Sequence, residues 1–395
     1  MKLWGLLFAC LMTFSTSATQ LTIWHQKEAA RDWLVELCKV YEQKTGVKIN
    51  VGYLPTGELK TSLVRSVIDG DAPDMAWVPS DFIGDYQKLE FSVIPPELIT
   101  ATSATNHLQT VTYDNQHYGI PLTGGNHLLL YYNKKYVEKP ATSWEELVNQ
   151  ADQLKAKGVK PIGWKYSESY WFVAFIPPFG GFPVENNLLT LNTPSMQETL
   201  TFYRDMTTSP LQVDASCDYD CSFARFNNGE FAYTINGDWA YTDIAKALGE
   251  DFGVALLPSL NGKPIQSMYA TMSLVFPNQS LSGEKRKALI DFANYMQSFE
   301  IQQRLFSEIS SFPVHEQVVA ALENSADPAL KVFLTQMQKS KGAPPTPAMS
   351  AAWIGIRKGF DLYMSGHASP EEATALMQRV GEHELKKSQK QSAIK

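Results

Sequence analysis

The chain has 395 residues, of which 44% are hydrophobic, 19% charged and 12% aromatic, and its formal net charge is −7. This composition is typical of a globular protein and excludes a disordered or fibrous one. The acidic balance argues against nucleic acid or an anionic membrane surface as the main partner. Chains longer than about 250–300 residues usually form more than one domain, so two lobes are expected.

The first 18 residues have the pattern of a secretory signal peptide. Lys2 supplies the positive charge, residues 3–14 form the apolar segment, and residues 15–18 are small, as signal peptidase requires. The apolar run is shorter than the roughly 20 residues that span a bilayer, which argues against a membrane anchor. A lipoprotein signal at Cys10 is the weaker alternative. We place cleavage after Ala18 and expect a soluble protein exported to the periplasm.

Strands and helices are predicted to alternate at the start of the mature chain. Residues 21–24 (LTIW) form the first predicted strand. A stripe at helical spacing predicts the next helix, which ends at Gly46; the stripe comprises Ala30, Trp33, Leu34, Leu37, Cys38 and Tyr41. Residues 47–51 and 74–78 follow as strands on either side of a helix over 59–69. This order predicts a mostly parallel α/β sheet that binds ligands at the ends of its strands.

The remainder of the chain continues in the same style. Ser143 and Glu146 have capping-box spacing, which predicts the start of a helix. Further strands are predicted over residues 159–164, 230–235, 252–257 and 270–276. Ser282 is expected to cap one long helix that passes through Leu305, and residues 341–347 to form a rigid connector before the last helices.

Three cysteines remain after cleavage of the signal peptide. Cys217 and Cys221 are predicted to form a short-loop disulfide in an oxidising compartment. Zinc ligation is the rival interpretation, but two thiols without a nearby histidine make a poor zinc site. Cys38 lies on the apolar helical stripe and is expected to be a buried core thiol.

The sequence contains no recognisable catalytic motif. Nucleotide-binding loops, the zinc-protease pattern and the hydrolase nucleophile elbow do not occur, and the seven histidines are scattered. The scattered histidines predict no metal site, and the missing motifs alone are only mild evidence against an enzyme. We predict no cofactor, and the prediction of no enzymatic activity rests on the family resemblance described next. A carboxylate pair for glycan hydrolysis, assembled only in three dimensions, stays open as an alternative.

Five groups of residues, in matching order along the chain, resemble motifs of one family. They are LTIW with KTGVKI (21–24 and 44–49), GDAPD (70–74), YNK with TSWEEL (132–134 and 142–147), FNNGE with TINGDW (226–230 and 234–239), and PAMSAAW (347–353). The corresponding family motifs include GDGPD, FNKGE with TINGPW, and PQMSAFW. The chain thus resembles the maltose-binding-protein type of extracellular solute-binding protein, which captures sugars for ABC importers.

The resemblance implies an α/β protein with the type II periplasmic binding protein fold, in which two interleaved lobes close on a ligand by hinge motion. By analogy, residues 19–123 and 271–312 form the N-terminal lobe, and residues 124–270 and 313–395 the C-terminal lobe. The chain would cross between lobes near residues 122–125, 270–271 and 312–313. The implied partners are a small carbohydrate and the membrane permease of the importer, with the protein itself a monomer.

The resemblance also implies a site of aromatic side chains that stack on sugar rings and of polar groups that bind hydroxyls. Trp239, Trp353 and Tyr170 match stacking aromatics of the family, and Glu168 matches its carboxylate. Arg357 follows Trp353 by one helical turn and is expected on the same face as a forked donor. The predicted ligand-binding residues are Glu28, Trp77, Asp81, Asn126, His127, Glu168, Tyr170, Trp239, Trp353 and Arg357.

The chain departs from the family pattern on one side of the site. Asp81 keeps a carboxylate, but a stacking tryptophan is lost unless Trp77 takes its role. Asn126 or His127 replaces a glutamate, and Glu28 alone survives from an Asp–Lys pair. These departures predict a sugar other than maltose, or fewer subsites on one lobe.

Other functions stay open on the sequence alone. One is an exported enzyme that acts on glycans, and another is a binding protein for a polyamine, a peptide or a metal complex. A third is a sensor that presents its ligand to a membrane receptor through the same cleft.

Overall fold

A computed structural model describes residues 19–99, 105–325 and 327–394, so the predicted signal peptide lies outside the described residues. The strands of the described part are, in chain order, β1 (Gln20–His25), β2 (Lys48–Tyr53), β3 (Met75–Pro79), β4 (Thr112–Tyr113), β5 (Gln116–His117), β6 (Ile120–Gly125), β7 (Leu128–Asn133), β8 (Lys160–Gly163), β9 (Val184–Glu185), β10 (Leu188–Leu189), β11 (Phe231–Gly237), β12 (Phe252–Ala255), β13 (Ser259–Leu260), β14 (Lys263–Pro264), β15 (Met268–Val275), β16 (Phe312–Pro313) and β17 (Lys341–Gly342). The helices are α1 (Arg31–Thr45), α2 (Leu59–Asp69), α3 (Thr105–Gln109), α4 (Trp144–Ala156), α5 (Ser169–Val173), α6 (Pro194–Asp205), α7 (Tyr219–Asn227), α8 (Tyr241–Leu248), α9 (Arg286–Gln297), α10 (Phe299–Ile309), α11 (Glu316–Glu323), α12 (Pro328–Lys339), α13 (Pro347–Met364) and α14 (Pro370–Ile394).

The larger sheet has the strand order β16-β6-β15-β3-β1-β2, with β17 paired to β15. Strands β1, β2 and β3 are parallel, as the sequence predicted, but β15 is antiparallel to both β3 and β6. The prediction of a mostly parallel sheet is therefore wrong. Strand β15 returns to this sheet only after the chain has built the second one, so no right-handed crossover helix sets its direction.

The second sheet has the strand order β12-β7-β11-β8 and is covered on both faces. Successive residues of β7 show this, because Leu128 and Leu130 pack into one core while Leu129 and Tyr131 pack into another. The first core includes residues of α4, α5, α6 and α13, and the second includes residues of α7, α8 and α12. All seven residues of β11 are buried between these layers.

The two sheets are interleaved in the sequence. Strand β6 ends the first pass through the larger sheet at Gly125, and β7 opens the second sheet at Leu128. The long strand β15 returns to the larger sheet, where Ala270 pairs with Gly125. The architecture is therefore two α/β units with separate sheets and cores, which the chain connects where β6 passes into β7 and where β15 returns to pair with β6.

Local sequence patterns account for several elements. The six stripe residues of the first helix are all buried, as predicted. Ser143 caps α4 by accepting the N–H of Glu146 at 3.1 Å, and Glu146 in turn accepts the N–H of Thr142 at 2.8 Å. The long helix predicted after Ser282 is wrong, because it divides at Ser298, whose hydroxyl caps α10.

The predicted disulfide is present between Cys217 and Cys221. It encloses the start of α7, where the Asp218 carboxylate accepts the N–H of Cys221 at 2.9 Å. Cys38 is a buried free thiol, as expected, and burial raises its pKa to about 12.

Candidate ligand-binding cleft

An open cleft of about 2490 Å³ lies between the two sheets. The segments that follow β1, β3 and β11 all reach it, in keeping with the tendency of α/β sheets to bind ligands at strand ends. Its volume exceeds the roughly 300–1,000 Å³ typical of pockets for one small molecule. The cleft therefore has room for an extended ligand.

Three aromatic side chains form one wall of the cleft. Tyr170 stacks on Trp353, with ring centroids 6.1 Å apart and an interplanar angle of 27°. Trp239 lies 6.2 Å from Tyr170 on its other side, tilted by 56°. All three line the cavity, so together they present apolar faces to a ligand. We call these three residues the aromatic wall.

The position of Trp239 follows from the end of β11. The strand stops at Gly237, and a Cβ at that residue would overlap the indole ring, so only glycine lets the ring lie back on the strand. The indole N–H donates to the Tyr219 hydroxyl at 3.0 Å, and Trp171 packs edge-on at 6.1 Å. Trp239 is thus held in place while 38% of its surface stays exposed.

Tyr170 is anchored by its hydroxyl. The hydroxyl donates to the carbonyl oxygen of Asn126, which lies at the passage from β6 to β7. Burial, together with the charge of Asp238, raises the pKa of Tyr170 well above its ordinary value. The phenol therefore stays protonated and keeps this bond at all physiological pH values.

Most carboxylates of the cleft have basic neighbours. Glu168 lies 3.1 Å from Lys165 and 3.7 Å from Arg357, whose side chain is 67% exposed. Glu28 forms an exposed ion pair with Arg31 at 3.8 Å. These three predicted site residues, Glu28, Glu168 and Arg357, line the cavity.

Asp81 and Asp85 lie in a 3-10 turn, Ser80–Asp85, directly after β3. Burial favours a higher pKa for Asp85, but Lys60 at 2.8 Å and Lys88 at 2.7 Å lower it to about 2. Burial raises the pKa of Asp81, although the charge of Lys60 opposes that shift. Asp81 lines the cavity, as the sequence predicted for it.

Two predicted site residues do not reach the cleft. Trp77 is fully buried in β3, because its side chain points into the core between the sheet and α1 and packs 6.5 Å from Trp33. His127 is also fully buried and meets the ring of Phe333 edge-on at 5.1 Å. Of the alternatives raised for this position, it is Asn126 that lines the cavity.

The cleft residues that sequence reasoning missed include Lys27, Tyr219 and Asp238. Lys27 is the second residue after β1, so its position near the strand end was the available signal. Asp238 stands where the motif TINGPW has proline, and that substitution was visible in the sequence. No sequence signal marked Tyr219, because its contact with Trp239 depends on how the disulfide-closed start of α7 packs.

No group of three or more His, Cys, Asp or Glu side chains in the described part of the chain is arranged to hold a metal ion. None of the helices within residues 19–99, 105–325 and 327–394 combines the length and the apolar character that a bilayer span requires.

Comparison with known proteins gives one family match and several relatives. Residues 36–332 match the profile of the family described as bacterial extracellular solute-binding protein. A maltooligosaccharide ABC transporter solute-binding lipoprotein of Streptococcus pneumoniae (strain ATCC BAA-255 / R6) is 22% identical over 384 residues, which cover 91% of this chain and 87% of that protein. The sn-glycerol-3-phosphate-binding periplasmic protein UgpB of Brucella abortus (strain 2308) is 26% identical over 209 residues, covering 47% of this chain and 46% of that protein.

A solved structure resembles nearly the whole chain. The maltose/maltodextrin-binding domain MalE from Bdellovibrio bacteriovorus, bound to maltotriose, superposes with a TM-score of 0.83 and 25% sequence identity. The match covers 93% of this chain and 100% of that one.

Proposed function

Because the chain belongs to the bacterial extracellular solute-binding protein family and has the type II periplasmic binding protein fold, we propose that it captures an oligosaccharide in the cleft for delivery to an ABC importer. The observation that carries this proposal is the aromatic wall of Tyr170, Trp239 and Trp353. Sugar rings have apolar C–H faces that pack on flat aromatic rings, while their hydroxyls need polar partners at the edge. Named ligands of the relatives, maltooligosaccharides and maltotriose, have this chemistry.

The charges of the cleft favour an uncharged ligand over a polyamine. A polyamine site needs several carboxylates that are free to meet cations, since buried charges are stable only when paired. Here Asp85 lies between Lys60 and Lys88, and Glu168 lies between Lys165 and Arg357. A neutral sugar leaves these ion pairs intact.

We further propose how capture becomes a signal for transport. Two lobes close on the sugar, one formed by residues 19–123 and 271–312 and the other by residues 124–270 and 313–395. The sugar stabilises the closed form to the extent that it binds this form more tightly than the open one. The permease then recognises the closed lobes. On this proposal the protein is an exported, periplasmic monomer that binds its ligand without breaking a bond in it.

The ligand class can be tested by thermal unfolding of the mature chain, residues 19–395, with glucose, maltose, maltotriose, spermidine and sn-glycerol 3-phosphate. A ligand present at a hundred times its Kd stabilises the folded state by about 2.7 kcal/mol. For a chain of this size that corresponds to a rise in Tm on the order of 3 °C. We expect this shift with at least one of the saccharides.

The amine and the phosphate serve as discriminating controls. A shift with spermidine alone would refute sugar capture, and so would a shift with glycerol phosphate alone. Thin-layer analysis of the saccharides after incubation tests the absence of turnover, and the appearance of shorter sugars would contradict it.

A further inference from the structure

The cleft is lined in part by polar side chains that have no hydrogen-bond or ion-pair partner among the described residues. Gln26 Oε1 and Asp238 Oδ1 are buried without a hydrogen-bond partner among the described residues. Lys27, between β1 and the following 3-10 turn, also lines the cavity. Among the described residues, no carboxylate lies within 4.0 Å of its ammonium group, so Lys27 forms no ion pair there. Buried polar groups are normally hydrogen-bonded, so unpartnered ones in a cleft point to a ligand that completes them.

Asp238 is held at this position by the backbone around it. Its N–H donates to the His127 carbonyl oxygen at 3.1 Å, at the start of the turn that presents Trp239. On its other side lies Gly125, where a Cβ would overlap Asp238 Oδ2. The absence of a side chain at Gly125 therefore makes room for a carboxylate beside the aromatic wall.

Lys27 lies just before the 3-10 turn that follows β1, Asp238 begins the 3-10 turn that follows β11, and both line the cleft. Burial lowers the pKa of Lys27, and the negative charge of Asp238 opposes that shift, so the two groups are electrostatically coupled. They are nevertheless too far apart for an ion pair. A ligand group that meets both side chains has to accept a hydrogen bond from an ammonium and donate one to a carboxylate.

A sugar hydroxyl does both, and two neighbouring hydroxyls can meet Lys27 and Asp238 at once. We infer that Lys27 and Asp238 together bind a pair of hydroxyls on the sugar ring next to Trp239 and select neutral sugars over uronic acids and amino sugars. A ring carboxylate can accept from Lys27 but donates nothing to Asp238 and is repelled by it, and a ring ammonium can donate to Asp238 but is repelled by Lys27. The inference rests on the proposed function and specifies its ligand chemistry.

The test is a titration of the mature chain with maltotriose in a calorimeter, or with another neutral saccharide of the panel if that one gives the larger thermal shift. Asp238→Asn and Lys27→Met each remove one charge-assisted hydrogen bond, so each should raise the Kd about 10- to 100-fold. The double variant should lose less than the product of the two effects, because both groups serve the same hydroxyl pair. Asp220→Asn and Lys246→Met make the same chemical changes at exposed positions outside the cleft and should leave the Kd unchanged.

Trigalacturonate provides the test of selectivity. It should compete poorly with the neutral saccharide in the wild-type protein and better in Asp238→Asn, because the repelling carboxylate is gone. Equal competition in both proteins would overturn the selection of neutral sugars. Circular dichroism of each unliganded variant checks folding, and since Lys27 and Asp238 lie on different sheets, either variant alone carries the test.

The failure of this inference differs from the failure of the proposed function. If the wild-type protein binds a neutral saccharide and both single variants bind it equally well, the inference is overturned and sugar capture stands. If the wild-type protein binds no saccharide of the panel, both are overturned.

Discussion

Truncation of Trp239 to alanine should weaken ligand binding far more than it weakens the fold. The indole ring is held against Trp171 and Tyr219, yet 38% of its surface is exposed to the cleft. Under the proposed function, that exposed surface is what a sugar ring covers.

The size of the effect follows from the exposed area. A tryptophan side chain buries up to about 250 Å², so the exposed fraction leaves on the order of 95 Å² for a ligand to cover. At about 25 cal/mol per Å², this contact contributes about 2 kcal/mol to binding. The loss corresponds to a rise in Kd of about 30-fold at 25 °C.

The assay is a calorimetric titration of the wild-type protein and Trp239→Ala with the saccharide that gives the largest thermal shift. Phe299→Ala is the matched control, because it removes an aromatic ring that is 46% exposed and lies outside the cleft. Urea unfolding verifies that Trp239→Ala is folded. A Kd within threefold of the wild-type value in a folded Trp239→Ala, or equal weakening by Phe299→Ala, would refute the reasoning.

Three further predictions concern stability. Gly125→Ala should lower the free energy of unfolding by about 2 kcal/mol, because φ is +140° there and the new Cβ would overlap Asp238; urea unfolding measures the loss. Removal of the disulfide in Cys217→Ala/Cys221→Ala should cost about 2 kcal/mol, the chain-entropy value for so short a loop, measured in the same way. Burial lowers the pKa of His107 to about 4, so the folded state holds this residue neutral while the unfolded state protonates it below pH 6.5. The free energy of unfolding should therefore fall by about 3 kcal/mol on account of His107 as the pH drops from 6.5 towards 4, as measured by urea unfolding across that range.

Each stability prediction has a control or an outcome that contradicts it. Gly57→Ala adds a methyl group in open space and should be nearly neutral, so an equal loss there would remove the argument for Gly125. Dithiothreitol should reproduce the loss caused by the cysteine variant. His107→Gln should flatten the pH dependence, leaving the part due to His25, His117 and His127, whose pKa values burial also lowers. Parallel curves for the wild type and His107→Gln would be inconsistent with a buried neutral histidine.

Patterns that depend on neighbouring residues could be predicted well from the sequence. The buried face of α1 follows from apolar residues at helical spacing, and the start of α4 follows from Ser143 and Glu146. Both are local effects, since a helix repeats every 3.6 residues and its first turn needs a side-chain acceptor. The cysteine pair was predicted for a similar reason, because its two members are only four residues apart.

Features that depend on distant segments could not be predicted in this way. Nothing near Trp77 in the sequence indicates that its side chain will pack against Trp33 of α1, so a buried tryptophan could not be told from a stacking one. The direction of β15 is likewise set by how the chain returns to the larger sheet. The division between α9 and α10, in contrast, follows from the local cap at Ser298. Lys27 and Asp238 are more than two hundred positions apart in the sequence, and both line the cleft only because it lies between the two sheets.

The close approach of Gly125 to Asp238 constrains how this cleft can change during evolution. In its present side-chain conformation, the Asp238 carboxylate has room only while position 125 lacks a side chain. Lineages that gain a Cβ at position 125 must therefore turn this carboxylate away or replace Asp238, for example with proline. Positions 125 and 238 should therefore covary among relatives of this chain. Glycine at position 125 becomes a marker of the relatives that carry a carboxylate at position 238.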